Sequence, residues 1–266
     1  MDLSLRTENL SKMNKRLVRV TQLESFRKFL DGDEYNDKFI VTEQDVIDGL
    51  TGVFTGNNFT YIGSAFHKIV EGDTDGVEKV EAGFRTYLYY GKEVQEAVPV
   101  GRKFNINGNP VCLDVAQCKV ALNYRNEYPD AFHEIREYMD MGDLVITGCA
   151  DMIDGFEIRD IKTKYSQPND KDYVDSAQWR FYLEMFGAET FHFDLFQFIG
   201  YDKEKHGTDV RGLELVRYNP PITCHYYRNM EQDNRYLIDE FVRWAKSRGV
   251  YDLLPEYSQE TINNLH

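Results

Sequence analysis

Residues 143–163 read DLVITGCADMI, then Asp154-Gly155, then FEIRDIKT. Two alternating segments around an Asp-Gly dipeptide predict a β-hairpin, because that pair accepts the left-handed backbone of a two-residue turn with little strain. With Asp154 and Gly155 as the turn, Ile153 pairs with Phe156, Asp151 with Ile158 and Cys149 with Asp160. Side chains alternate along a strand and cross-strand partners point the same way. Cys149, Asp151, Ile153, Phe156, Ile158, Asp160 and Lys162 therefore share one face. Asp151 and Asp160 become diagonal neighbours with Cβ atoms roughly 7 Å apart, and Lys162 lies next along the strand. Two carboxylates and an ammonium so placed also describe a salt-bridged patch at a hairpin end. The apolar residues on the same face favour another use, since an unpaired carboxylate at the edge of a core is costly and a divalent cation removes that cost. Two carboxylates plus a backbone carbonyl form a hard-oxygen set suited to Mg²⁺ or Mn²⁺. A lysine beside them can hold an attacking water and balance charge on a phosphoryl transition state.

Outward from the hairpin, HEIREYMD (133–140) extends the meander by one strand. Ahead of it, helical spacing of apolar residues predicts helices from Val20 to Leu30 and Val77 to Tyr90, and Gly63 to Val70 and 113 to 127 also read as helices, closed by Gly72 and stopped by Pro129. Behind it come a helix from Val174 to Phe186, strands at Phe191–Ile199 and Leu213–Tyr218, and a long helix from Tyr226 to Lys246. The class is α/β: a mixed central sheet, with a hairpin carrying the candidate site, flanked by α-helices. With no internal repeat and no Pro- or Ser-rich linker, residues 1–266 read as one domain. Its parts are a helical, locally basic extension (1–60), a core (61–200) and a closing strand and helix (201–266).

The chain holds 31 Lys and Arg against 45 Asp and Glu, a formal net charge of −14. That balance excludes a protein that coats nucleic acid by bulk charge, which needs clustered cations. Residues 1–30 run the other way, with seven basic side chains (Arg6, Lys12, Lys15, Arg16, Arg19, Arg27, Lys28) against three acidic ones. They form either a solvated face or a local contact surface. Cys112, Cys118, Cys149 and Cys224 are too irregularly spaced for a disulfide framework or a zinc site. No run approaches the roughly 18 apolar residues of a membrane span, and the N-terminus lacks the apolar core of a signal peptide, so the expectation is a cytoplasmic protein without membrane contact.

Four short motifs occur in order: GSAFHKIVE (63–71), GCAD (148–151), DIKT (160–163) and QWRFY (178–182). Together they resemble the PD-(D/E)XK nuclease superfamily, in its RecB-like exonuclease branch, over about residues 63–199. The resemblance implies a restriction-endonuclease-like core and a Mg²⁺- or Mn²⁺-dependent exonuclease acting on DNA ends. Enzymes of this kind belong to recombination and repair in bacteria and their phages, which would place the chain in a bacterial cell or a phage-infected host. His67, Asp151, Asp160 and the carbonyl of Ile161 would hold the metal, Asp151, Asp160 and Lys162 would be catalytic, and Gln178 and Tyr182 would contact nucleic acid. His67 and Glu71 share a helix face, as do Gln178 and Tyr182, and Glu71 would stand behind the ligands. Ala150 occupies a position where many relatives have proline. The cysteines do not match the cluster-bearing relatives, so no iron–sulfur cluster is expected, and no GxxxxGK[ST] loop points to an ATP-driven motor. A homo-oligomer or a recombination partner protein stays open. A different class, an inactive nuclease-fold subunit that binds nucleic acid or assists assembly, would have no use for Asp151, Asp160 and Lys162, all of which are present.

Overall fold

In FHFDLFQF (191–198) four phenylalanines and a leucine are almost wholly inaccessible, and they alternate between two sides of one strand. Residues 191, 193 and 195 enter one apolar core and residues 196 and 198 a second. A strand buried on both faces lies inside a sheet covered by helices on each side. The computed structural model, which describes residues 15–32, 40–52 and 56–263, shows that arrangement.

The chain opens with β1 (Arg16–Arg19), α1 (Val20–Asp31), α2 (Glu43–Thr51) and α3 (Asn58–Glu71). Five short strands follow, β2 (Glu78–Val80), β3 (Gly83–Tyr89), β4 (Lys92–Val98), β5 (Gly101–Ile106) and β6 (Asn109–Asp114), then α4 (Val115–Glu127). The meander is β7 (Phe132–Met141), β8 (Leu144–Asp154) and β9 (Glu157–Lys164), followed by α5 (Lys171–Val174) and α6 (Gln178–Phe186). The remainder is β10 (Thr190–Phe198), α7 (Lys203–His206), β11 (Leu215–Arg217), β12 (Ile222–His225), α8 (Met230–Ser247) and α9 (Gln259–Asn263). The main sheet has seven strands in the order β1-β8-β9-β10-β11, with β7 also on β8 and β12 also on β10. It is mixed: β1 runs parallel to β8 and β9 parallel to β10, while the β7–β8, β8–β9, β10–β11 and β10–β12 pairs are antiparallel. Residues of α1, α6 and α8 fill the core on one face, and those of α3 and α4 the core on the other. Among the described residues no helix is long and apolar enough to cross a membrane, and all four cysteines are free thiols.

Three expectations need correction. Residues 77–90 form no helix; they are β2 and the first strand of the β3–β4 hairpin, which turns at Tyr90-Gly91 with φ of 48° and 73°. Gly83 breaks the helical pattern, and aromatic and β-branched residues in FRTYLYY find a partner strand in KEVQEAV. The early part of the chain is not only helical, since β1 is a strand of the central sheet. The hairpin register also differs by two: Ile153 pairs with Ile158 and Asp154 with Glu157. Gly155, at φ 61°, is the first central residue of the turn and Phe156 the second, leaving Phe156 exposed instead of buried. Only one left-handed residue is needed in a turn that begins with glycine, so Asp154 remains in the strand. A shift of two, unlike a shift of one, leaves each side chain on its expected face.

Candidate active site

Strand β8 has β7 along one edge. On the other it pairs with β1 at residues 144–147 and with β9 only at 152–154. Between those two partners its edge is open, and side chains serve the backbone groups exposed there. The Tyr182 hydroxyl accepts from the Cys149 amide (3.2 Å) and donates to the Cys149 carbonyl (2.9 Å). The Asp151 carboxylate accepts from the Ile161 amide at 2.7 Å, replacing the strand pairing that has ended one residue earlier. Gly148 is small because a Cβ there would stand 3.1 Å from the Tyr182 ring. The fork so made is a small cleft of about 290 Å³, with Arg19, Arg136, Asp160, Gln178 and Tyr182 in its wall.

A second, larger cleft of about 600 Å³ opens on the α3 side, and Asp151 and Lys162 line both. Helix α3 starts under an Asn57 cap and lies close to β9; a Cβ on Gly63 would come within 3.1 Å of the Thr163 hydroxyl. One turn later His67 reaches the sheet, with Nε2 3.0 Å from the Ile161 carbonyl. A carbonyl can only accept, so Nε2 carries the proton, and the lone pair of the neutral ring is on Nδ1. That nitrogen stands 3.9 Å from Asp151 Oδ1. Ligand atoms of His67, Asp151 and Glu134 all lie within 4.8 Å of one another.

Glu134 was not anticipated. It stands in β7 between His133, paired with Met152, and Ile135, paired with Ala150, so it falls opposite Asp151. Its φ of 52° takes it out of the ladder, a left-handed conformation that costs a residue with a side chain roughly 1–2 kcal/mol. Its carboxylate lies beside the His67 ring and the Asp151 carboxylate, on the face that pairing opposite Asp151 gives it. Glu71, on the His67 face of α3, has its carboxyl pushed up by burial and then by the charge of Glu134. Burial and then Glu134 also push the Cys149 thiol up to about 12, so it stays protonated.

Asp160, 4% exposed, sits on the smaller-cleft side. Its Oδ1 accepts from Gln178 Nε2 (2.8 Å) and Lys162 Nζ (2.9 Å). Lys162 Nζ is also 2.9 Å from Oδ2, so the ammonium sits against both oxygens of the carboxylate. Burial above all, with the Asp151 charge adding to it, raises the Asp160 carboxyl to about 6 against the opposing pull of Lys162. Burial works against the charged form of Lys162, but the Asp160 and Asp151 carboxylates outweigh it and keep the ammonium above its usual range.

The residues singled out in the sequence thus border two clefts that share Asp151 and Lys162. His67 and Asp151 cluster with Glu134; Asp160, Lys162 and Gln178 form a hydrogen-bonded trio beside them; the Ile161 carbonyl is engaged by His67; and the Tyr182 hydroxyl is taken up by Cys149. Of the basic residues at the start of the chain, Arg6 and Lys12 lie outside the described residues. Lys15, Arg16, Arg27 and Lys28 are paired with carboxylates. Arg19 forms no ion pair among the described residues and faces the smaller cleft.

The site is therefore an acidic cluster with one imidazole, beside a charged lysine, at the open edge of an α/β sheet. No family model and no curated protein matches the chain. Among solved structures it is similar to one from Eubacterium rectale called "Putative exonuclease", at 13% identity over 94% of this chain and 88% of that one, with a TM-score of 0.47. It is also similar to a structure called SSO0001, at 13% identity over 90% and 81% of the two chains and a TM-score of 0.32. At that level of likeness the function rests on the geometry of the site itself.

Proposed function

We propose that the chain is a metal-dependent deoxyribonuclease, an exonuclease acting at DNA ends, with the restriction-endonuclease-like core of RecB-type PD-(D/E)XK enzymes. The observation that carries the reading is the convergence of His67, Glu134 and Asp151 within 4.8 Å, next to the Asp160–Lys162 pair. The donors fit Mg²⁺ or Mn²⁺: hard carboxylate oxygens with one imidazole. His67, Glu134, Asp151 and Asp160 are the residues that would hold such an ion. When bound, it would supply positive charge to the phosphoryl oxygens and ease deprotonation of water.

The chain's own residues do the rest. The Lys162 ammonium, held charged by two carboxylates and reaching both clefts, positions the attacking water and offsets charge growing on the phosphate. Gln178 and Lys162 together fix the Asp160 carboxylate, and Asp151 clamps the backbone that carries it. Arg19, at the mouth of the smaller cleft, neutralises a neighbouring phosphate of the strand. Attack on phosphorus breaks the bond to the 3′ oxygen and leaves a 5′-phosphate.

The test is a gel assay on end-labelled linear and circular DNA, single- and double-stranded, with Mg²⁺, Mn²⁺ or EDTA, beside Lys162→Ala. Metal-dependent loss of linear DNA, reduced at least a hundredfold in the variant, is expected. No cleavage by the wild-type protein in any condition, with DNA binding intact, would instead indicate a nuclease-fold binding subunit.

A further inference from the structure

The larger cleft continues past the acidic cluster into a region with a different character. One wall is the start of α3, with Phe59 and Ser64, and the other is the β5–β6 turn, with Asn105 and Asn107. Lys68 and Lys162 are the cations in its lining, and Lys68 is ion-paired with Asp73 while Lys162 serves Asp160. This end therefore offers neutral amides, hydroxyls and an aromatic ring, which suit a phosphate poorly.

The ring is held in place. Phe59 is 40% exposed, and behind it lie Tyr165 and Tyr201, with ring centroids 4.7 Å and 5.7 Å away. Tyr165 is itself stacked on buried Phe198, the ring planes nearly parallel at 9°, and its hydroxyl donates to the Phe59 carbonyl at 3.1 Å. Across the cleft, Asn107 and Gly108 form a tight turn with φ of 51° and 82°. Asn105 ties the turn by accepting from the Gly108 amide. The Asn107 carboxamide makes no hydrogen bond among the described residues, so its donor and acceptor are both available to the cleft.

A fixed aromatic ring and a free carboxamide in the lining of one cleft suit a planar heterocycle with hydrogen-bonding edges. Every base has a π-face to stack, and an amide can both donate to and accept from a base edge. Inside a duplex the neighbouring pairs cover both faces of a base, and at a blunt end the Watson–Crick edge is still held by the partner base, so an unpaired base is the one that offers a face and every edge together. We propose that this end of the cleft receives an unpaired nucleobase of the strand whose phosphate lies at the acidic cluster, stacked on Phe59 and contacted by Asn107. The inference rests on the nuclease reading and adds the substrate class: a single-stranded DNA end or overhang.

The experiment is fluorescence anisotropy with Ca²⁺ in place of Mg²⁺, using a labelled single-stranded oligonucleotide, the same strand made abasic near its end, and a blunt duplex. The wild-type protein should bind the single strand at least tenfold tighter than the blunt duplex. Phe59→Ala should weaken single-strand binding about tenfold and leave abasic binding almost unchanged, given the usual worth of one base on an aromatic ring. Phe59→Trp should retain the affinity, which separates stacking from damage to the fold. Asn107→Asp, which tolerates the same backbone, should weaken single-strand binding severalfold. Equal binding of duplex and single strand, or equal losses on intact and abasic strands, would overturn the proposal. Cleavage by the wild-type protein without Phe59-dependent base binding would sink this inference alone. Phe59-dependent binding without metal-dependent cleavage would sink only the nuclease reading.

Discussion

Replacing Glu134 with glutamine should make the metal-free protein more stable while removing much of its response to metal. Glu134 and Asp151 bring ligand oxygens within 4.8 Å of each other. Two like charges at that distance repel by about 3 kcal/mol at an effective dielectric of ~20 and by about 1 kcal/mol in water. Glu134 is exposed, so the lower figure applies. Neutralising it should then stabilise the metal-free protein by about 1 kcal/mol, or roughly 2–4 °C in melting temperature. Glu71 changes the result in the same direction, because its carboxyl no longer faces that charge. With Mn²⁺ at about 100 times its dissociation constant, linkage stabilises the wild-type protein by about 2.7 kcal/mol, and losing a charged ligand should remove most of that gain. Glu134→Gly should be more stable still without metal, since it also relieves the φ of 52°. Urea unfolding of the three proteins in EDTA and in excess Mn²⁺ gives all six stabilities. The reasoning fails if Glu134→Gln is less stable than wild type in EDTA, or if it keeps the whole Mn²⁺ increment.

Two further outcomes follow from the same fork. The Asp160 carboxyl is raised from 3.8 to about 6 by burial, so between those values the folded protein binds more protons than the unfolded one. Metal-free stability from this group should fall as pH rises from about 4 to 6, by an amount on the order of 3 kcal/mol, and level off above; urea titrations in EDTA should show that component gone in Asp160→Asn. Tyr182→Phe removes the hydroxyl that serves both backbone groups of Cys149, and should cost about 1–3 kcal/mol in urea unfolding; an unchanged midpoint would mean that water serves that strand edge equally well.

The meander was legible because its turns and alternation are local: residues 143–163 carry period-two patterning on both sides of a glycine turn. Helices α1 and α8 were legible for the same reason, with apolar stripes ending at turn residues, and the end of α4 was legible from Pro129. The region 77–114 was not, because its short strands are stabilised by pairing with one another, and nothing inside VEKVEAGFRTYLYY says that KEVQEAV will supply the partner. The register error was harmless to the site because it was even: Asp160 and Lys162 kept the face that meets Gln178.

Glu134 is the instructive omission. Gly142-Asp143 is itself a two-residue turn, with Met141 paired to Leu144, and counting back from it sets Glu134 across from Asp151. Within HEIREYMD that glutamate reads as one more alternating polar residue, and only the pairing with β8 shows that it shares the face of Asp151. There the glutamate also holds a left-handed backbone angle, for which its side chain has no preference. Such a conformation persists only where the surrounding structure imposes it: here β7 pairs with β8 on both sides of the residue, at His133 and at Ile135. The position at which local preference and tertiary structure disagree is thus the one that completes the acidic cluster, and it is the position where metal affinity and metal-free stability oppose each other most directly.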